Sequence, residues 1–128
     1  IGNTTTSAAM AAAMLRCDVA TVTGRGAGLN DSGLEKKIRV IESAIEKYDL
    51  YNKDTFEILM TVGGLDIAGL VGVCIGGALY HIPVVLDGVI SMVSALAAER
   101  LLSGVTDFII PSHEAGSLPW RFCVRHFP

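Results

Sequence analysis

Two short apolar runs, Pro83-Val84-Val85-Leu86 and Phe108-Ile109-Ile110, flank one helical stretch, Val89 to Leu102, and this order limits the fold more than any other feature. The connection between the runs has the length of a crossover helix, so the two strands are predicted to lie parallel in a β-α-β unit. Asp87 and Ser112 then follow the carboxyl ends of adjacent strands, the edge at which open α/β sheets bind ligands. At that place Asp87 either caps the next helix, which carries Ser91 and Ser94, or serves a ligand. In the second role it accepts a hydrogen bond from a ribose hydroxyl or balances a developing positive charge. Ser112 stands open between capping and binding, and His113 between structural hydrogen bonding and catalysis. The expected fold class is α/β, a three-layer parallel sheet with flanking helices, in a helix-rich partial domain.

Upstream of this unit, Ile67 to Leu86 carries no charged residue and has the length of a membrane span. His81, Pro83 and four glycines interrupt it, and Asp66 and Asp87 close it, so it reads as two elements. The first is a helix from Ile67 to about Tyr80. Ala68, Gly72 and Gly76 recur on it at four-residue spacing and form a smooth face for a close neighbour. The second element is the strand ending at Leu86.

The best-defined helix lies nearer the start. Ser32 and Glu35 have capping-box spacing, and Leu34, Ile38, Ile41, Ile45 and Tyr48 follow as a buried stripe. Lys36 points to solvent. Lys37 borders the stripe, one step round from Leu34 and Ile41, so its methylenes can lie on apolar neighbours while the ammonium enters a crevice. A second short helix runs from Asp54, its cap, to Val62 and stops at Gly63-Gly64. Asp18 to Thr23 reads equally as a strand or a short helix.

Two segments have the chemistry of anion binding. Gly2, Asn3, Thr4 and Thr5 lead into the Ala-rich helix that ends near Leu15, where free N–H groups and the positive helix end converge. The other reading of that junction is an ordinary N-cap. Gly24-Arg25-Gly26-Ala27-Gly28 is a loop that offers either a phosphate cradle or, with Val19 to Val22 as a strand, a dinucleotide fingerprint. Leu29 to Ser32 intervene before the next helix, so the glycines would not deliver a pyrophosphate to its N-terminus.

With 128 residues, 51% hydrophobic and 18% charged, the chain can bury one real core. A net charge of -3 without any Lys/Arg run excludes nucleic acid and anionic membranes as main partners. Cys17, Cys74 and Cys123 are odd in number and lack metal spacing, so they read as reduced thiols of a cytoplasmic protein. The chain opens on Ile1, with no charged segment ahead of an apolar run, and no secretory signal is read. Neither a Walker sequence nor a Ser/His/Asp triad can be assembled.

Six blocks in order carry a resemblance: Ile1-Gly2-Asn3-Thr4-Thr5, Gly24 to Leu29, Lys37, Val62 to Gly69, Pro83 to Gly88, and Ile110-Pro111-Ser112-His113. Together they resemble the middle portion of the nicotinate-nucleotide:dimethylbenzimidazole phosphoribosyltransferase family. The resemblance implies a parallel-sheet α/β large domain over residues 1–113 and a homodimer in the full-length enzyme. It also implies transfer of the phosphoribosyl group of nicotinate mononucleotide to 5,6-dimethylbenzimidazole, giving α-ribazole 5'-phosphate and nicotinate for cobalamin. No metal or other cofactor is implied. The substrate-binding set would be Gly2, Asn3, Thr4, Gly26, Ala27, Lys37, Asp87, Ser91 and Ser112. The family's glutamate base lies in a glycine-rich segment beyond these blocks, and Glu114 has only its place after Ser112-His113 to recommend it as a substitute. Residues 114–128 break the family's pattern, with Pro119 obstructing the expected helix. A second reading, from a different class, is a non-catalytic nucleotide-binding or subunit-packing module; an NAD-type dehydrogenase is a third.

Overall fold

The computed structural model describes residues 4–112. Its elements follow in the order α1 (Thr4–Leu15), α2 (Val19–Val22), α3 (Asp31–Lys47), α4 (Thr55–Ile58), α5 (Leu65–Leu79), β1 (Val84–Leu86), α6 (Val89–Leu101) and β2 (Ile109–Pro111). A π turn, Leu59–Gly63, continues α4, and 3-10 turns occupy Leu50–Asn52 and Val105–Phe108.

Two helices form the centre. α1 is buried on every side from Ser7 to Met14, and α6 from Met92 to Ala98. Alanine explains both: it has the best helix propensity, and its small side chain lets neighbours approach from all directions. α2, α3, α4 and α6 pack around α1, while α5 packs on the other flank of α6. Ala13, Met14 and Arg16 border the same cavity as Arg100 and Leu101. The C-terminal ends of α1 and α6 therefore meet at that cavity.

β1 and β2 pair in parallel, with Val84 opposite Ile109, Val85 opposite Ile110 and Leu86 opposite Pro111. The Ser112 N–H donates to the Leu86 carbonyl at 2.9 Å and extends the ladder by one bond. The expected β-α-β unit is thus present. Among the described residues the sheet has two strands, which establishes a helix-rich arrangement with a small parallel sheet and nothing wider. Leu86 faces the core, whereas Val85 and Ile110 are 63% and 50% exposed on the other side of the sheet.

One open reading is decided by the structure and several local expectations are corrected. Val19–Val22 is helical, because the Asp18 carboxylate caps it at Ala20 N and the Thr23 hydroxyl donates to the Val19 carbonyl. This removes the strand that a dinucleotide fingerprint requires. α3 is capped by Asn30, whose side-chain oxygen accepts from Gly33 N at 2.9 Å and from the Ser32 hydroxyl at 3.0 Å. Ser32 therefore sits inside the first turn, and Glu35 pairs with Arg39 instead of closing a capping box. Tyr48 leaves the stripe. It is the C-cap, exposed, and its ring lies under the Lys47 ammonium. Asp54 does cap α4, in a reciprocal box with Glu57.

The smooth face of α5 is also reassigned. A Cβ added at Gly69, Gly72 or Gly76 would meet nothing within 4 Å, and that side of the helix exposes Leu65 and Val73. Close approach occurs at Gly77, where a Cβ would lie 2.5 Å from Val84 Cγ2 and 2.9 Å from the Ile82 carbonyl oxygen. The chain reverses there. Ile82 N–H donates to Gly77 O and His81 N–H to Ala78 O, with His81 left-handed at φ 56°. No helix among the described residues is long and apolar enough to cross a membrane.

Glu99 ties the end of α6 to the turn that leads into β2. Its carboxylate accepts from Gly104 N at 3.0 Å, Thr106 N at 2.9 Å and the Thr106 hydroxyl at 3.1 Å. Partial burial alone would raise its pKa, but these donors and Ser103 outweigh that and hold it below the ordinary carboxylate value. A depressed carboxylate contributes stability above its unfolded pKa and loses it as pH falls through the folded one. Glu99→Gln is expected to cost about 1–3 kcal/mol at pH 7. In urea unfolding, the gap between variant and parent should close toward pH 3; a gap independent of pH would show that the charge is not what anchors this turn.

Candidate functional site

The first cluster forms where α1 begins. Lys37 leaves the α3 stripe with only 7% of its surface exposed, its methylenes packed and its ammonium carried to the start of α1. There it donates to Thr4 Oγ1 and to the Gly24 carbonyl, both at 2.9 Å. An ammonium has three N–H bonds, and these partners take two. No carboxylate among the described residues pairs with it. Burial accordingly pushes its pKa below the ordinary lysine value. A desolvated cation at the positive end of a helix is an incomplete electrostatic arrangement that an anion would complete.

The glycine loop closes over this pair. Gly26 is left-handed at φ 56°, and a Cβ there would sit 2.9 Å from Thr4 Oγ1 and 3.6 Å from Lys37 Nζ. Only glycine brings the backbone this near without displacing the hydroxyl. Ala27 follows on the exposed crest of the loop. Arg25 holds the loop in place: it donates to the Leu29 carbonyl at 2.9 Å and pairs with Asp31 at 2.6 Å, fastening the glycines to the first turn of α3. The sequence signal for this role of Arg25 is the opposite charge of Asp31 six residues away, across the glycine loop.

The second cluster lies at the carboxyl end of β1. Asp87 is exposed, makes no hydrogen bond or ion pair among the described residues, and does not cap α6. Gly88 is the N-cap, and Ser91 serves it in both directions. Its oxygen accepts from Gly88 N at 3.1 Å, and its hydroxyl donates to Gly88 O at 2.9 Å. Asp87 is thereby left to face a cavity of about 380 Å³ lined by Leu70, Asp87, Gly88, Val89, Ile90 and Ser91. Ser112 ends the neighbouring strand, bonded to Leu86.

Thr4, Gly26 and Lys37 are thus in mutual contact, and Asp87 shares a cavity with Ser91. Lys37 does not line that cavity. The first cluster sits at the N-terminal turn of α1 and the second at that of α6. Gly2, Asn3, His113 and Glu114 fall outside the described residues. Cys17 and Cys74 are free thiols, and no three His, Cys, Asp or Glu side chains among the described residues group closely enough to hold a metal.

A family model described as phosphoribosyltransferase matches residues 1–127, a span that continues past His113. The nicotinate-nucleotide–dimethylbenzimidazole phosphoribosyltransferase of Clostridium perfringens is 42% identical over 125 residues, 98% of this chain and 35% of its own length. The enzyme of that name from Halalkalibacterium halodurans is 44% identical over the same shares. Among solved structures, CobT from Thermus thermophilus superposes with a TM-score of 0.90 at 30% identity, over 98% of this chain and 37% of that one. The chain spans about a third of the length of the curated relatives it matches. Matched from residue 1 to residue 127, the chain belongs to the phosphoribosyltransferase family of the nicotinate-nucleotide–dimethylbenzimidazole enzymes.

Proposed function

We propose that this chain supplies the nucleotide-phosphate cradle of an enzyme that transfers phosphoribose from nicotinate mononucleotide to 5,6-dimethylbenzimidazole, giving α-ribazole 5'-phosphate and nicotinate. The observation that carries the reading is the Lys37 ammonium: buried, without a carboxylate partner among the described residues, and held by Thr4 and Gly24 under a glycine loop. The 5'-phosphate would take the remaining N–H of Lys37 and lie at the positive end of α1, with Gly2, Asn3, Gly26 and Ala27 completing the cradle.

In the transfer, a benzimidazole ring nitrogen bonds to the anomeric carbon as the bond from that carbon to the nicotinate nitrogen breaks. Nicotinate departs with the electron pair. The carbon becomes cationic on the way, and the Asp87 carboxylate, exposed beside its cavity, is suited to hold the ribose or to balance that charge. Ser91 and Ser112 line the same strand edge. The proton lost by the benzimidazole passes to a base, a glutamate in the family, outside the blocks recognised in this sequence. Residues 1–113 then belong to the large α/β domain, with β1 and β2 as part of a wider three-layer sheet. Homodimerisation of the full-length enzyme is part of the same proposal. The free thiols of Cys17 and Cys74 support a cytoplasmic setting.

Calorimetric titration with nicotinate mononucleotide and with nicotinate riboside, which lacks the phosphate, tests the cradle. The mononucleotide is expected to bind at least roughly ten-fold more tightly, about 1.4 kcal/mol. Equal affinities would remove the phosphate from the argument and favour a subunit-packing module.

A further inference from the structure

A second concave site borders both central helices. It is a cavity of about 400 Å³ where the C-terminal ends of α1 and α6 meet the start of α4. Three cationic residues line it: Arg16, Lys53 and Arg100. Its acidic wall residue is Asp54, and that carboxylate is engaged as the α4 cap, accepting from Glu57 N at 2.8 Å. Lys53 pairs with Glu57 at 3.1 Å. Arg16 and Arg100 have no hydrogen-bond or ion-pair partner among the described residues, in a chain where acidic residues outnumber basic ones, 13 to 10.

The backbone of Arg16 is informative. The Cys17 N–H returns to the Ala12 carbonyl at 3.2 Å and closes α1, which puts Arg16 in the left-handed conformation at φ 51°. Glycine is the residue that position favours. If Arg16 served only to end the helix, glycine would serve better, and what arginine adds is an exposed cationic residue in the cavity lining. Phe56, 56% exposed, adds an apolar wall beside the cations.

We infer that this cavity is a second anion site, distinct from the Lys37 cradle, in which the Arg16 and Arg100 guanidiniums, with Lys53 on the rim, take a compact polyanion of the phosphate or pyrophosphate class. Paired N–H donors of guanidinium match phosphate oxygens, and a volume near 400 Å³ accommodates a small phosphate ester as well as the free ion.

Pyrophosphate titrated calorimetrically at constant ionic strength tests this in the parent chain, in Arg16→Gly/Arg100→Gln and in Lys37→Met. Two sites per chain are expected in the parent and one in each variant, with at least ten-fold weaker binding at the site removed. The arginine variant should melt no lower than the parent, since glycine relieves the left-handed residue. Unchanged stoichiometry in the arginine variant would overturn the site, as would loss of cooperative melting in it, which would make the arginines structural. Binding kept in Lys37→Met but lost in the arginine variant would uphold this site even if the parent bound a single ion, and would count against the cradle alone. Orthophosphate and ribose 5-phosphate in the same titration separate a free-ion site from a phosphate-ester site.

Discussion

Lys37→Met is expected to weaken nicotinate mononucleotide binding by roughly 30–150-fold, about 2–3 kcal/mol, while leaving the fold at least as stable. The two effects have one cause. A desolvated ammonium without a counter-charge burdens the free protein, and methionine fills similar volume without that burden. The same ammonium is the strongest donor available to the phosphate. Burial lowers the Lys37 pKa, so the folded chain gives up this proton before the unfolded chain does. Between the lowered value and the ordinary 10.5, the unfolded state holds more protons, and stability from this residue rises with pH. Mononucleotide affinity falls through the same interval, because the ammonium that binds is being lost. Subtracting Lys37→Met melts and titrations from those of the parent isolates both trends from the other lysines. An unchanged Kd in the variant would show that the phosphate goes elsewhere. Gly26→Ala offers a check from the opposite side of the cradle: its Cβ would press on Thr4 Oγ1 at 2.9 Å while Lys37 stays intact, and affinity should still drop.

The second large effect separates two glycines on one helix. Gly77→Ala would place a methyl 2.5 Å from Val84 Cγ2 and 2.9 Å from the Ile82 carbonyl, so α5 and β1 would have to part. The expected cost is about 2–3 kcal/mol, typical of overpacking against a backbone that cannot yield. Gly72→Ala meets nothing within 4 Å and should stabilise α5 by about 0.5–1 kcal/mol through helix propensity. Urea midpoints of the two variants should move in opposite directions. If both fell alike, the face carrying Gly72 would be packed in solution and the assignment of close approach to Gly77 would fail.

This contrast also marks what the sequence could and could not reveal. Spacing identified α5 as glycine-faced, but spacing cannot say which side of a helix meets the next strand, since that depends on the turn through His81. Pro83 to Ser112 was legible because β-branched runs, a crossover length and strand-end residues all agree. Asp54 was legible as a cap because Glu57 stands three residues on. Ser32 and Glu35 show the same spacing, yet Asn30 won the cap, because two candidates two residues apart differ only in which one the glycine loop delivers to the helix. The burial of Lys37 followed from its place beside Leu34 and Ile41, but its partners came from residues 13 and 33 positions away, which no local pattern reports. Arg16 and Arg100 lie further beyond such reading: one ends α1, the other sits near the end of α6, and only the packing of the two helices brings them together.

The two ends of α1 and of α6 differ electrically. The peptide dipole of each is worth roughly half a positive charge at its Thr4 or Val89 end and the reverse at the far end, where both helices border one cavity. One lysine can then suffice to hold an anion where the field assists it, whereas a site at the opposite pole must overcome the field first, which accounts for a pair of arginines there in place of a single cation.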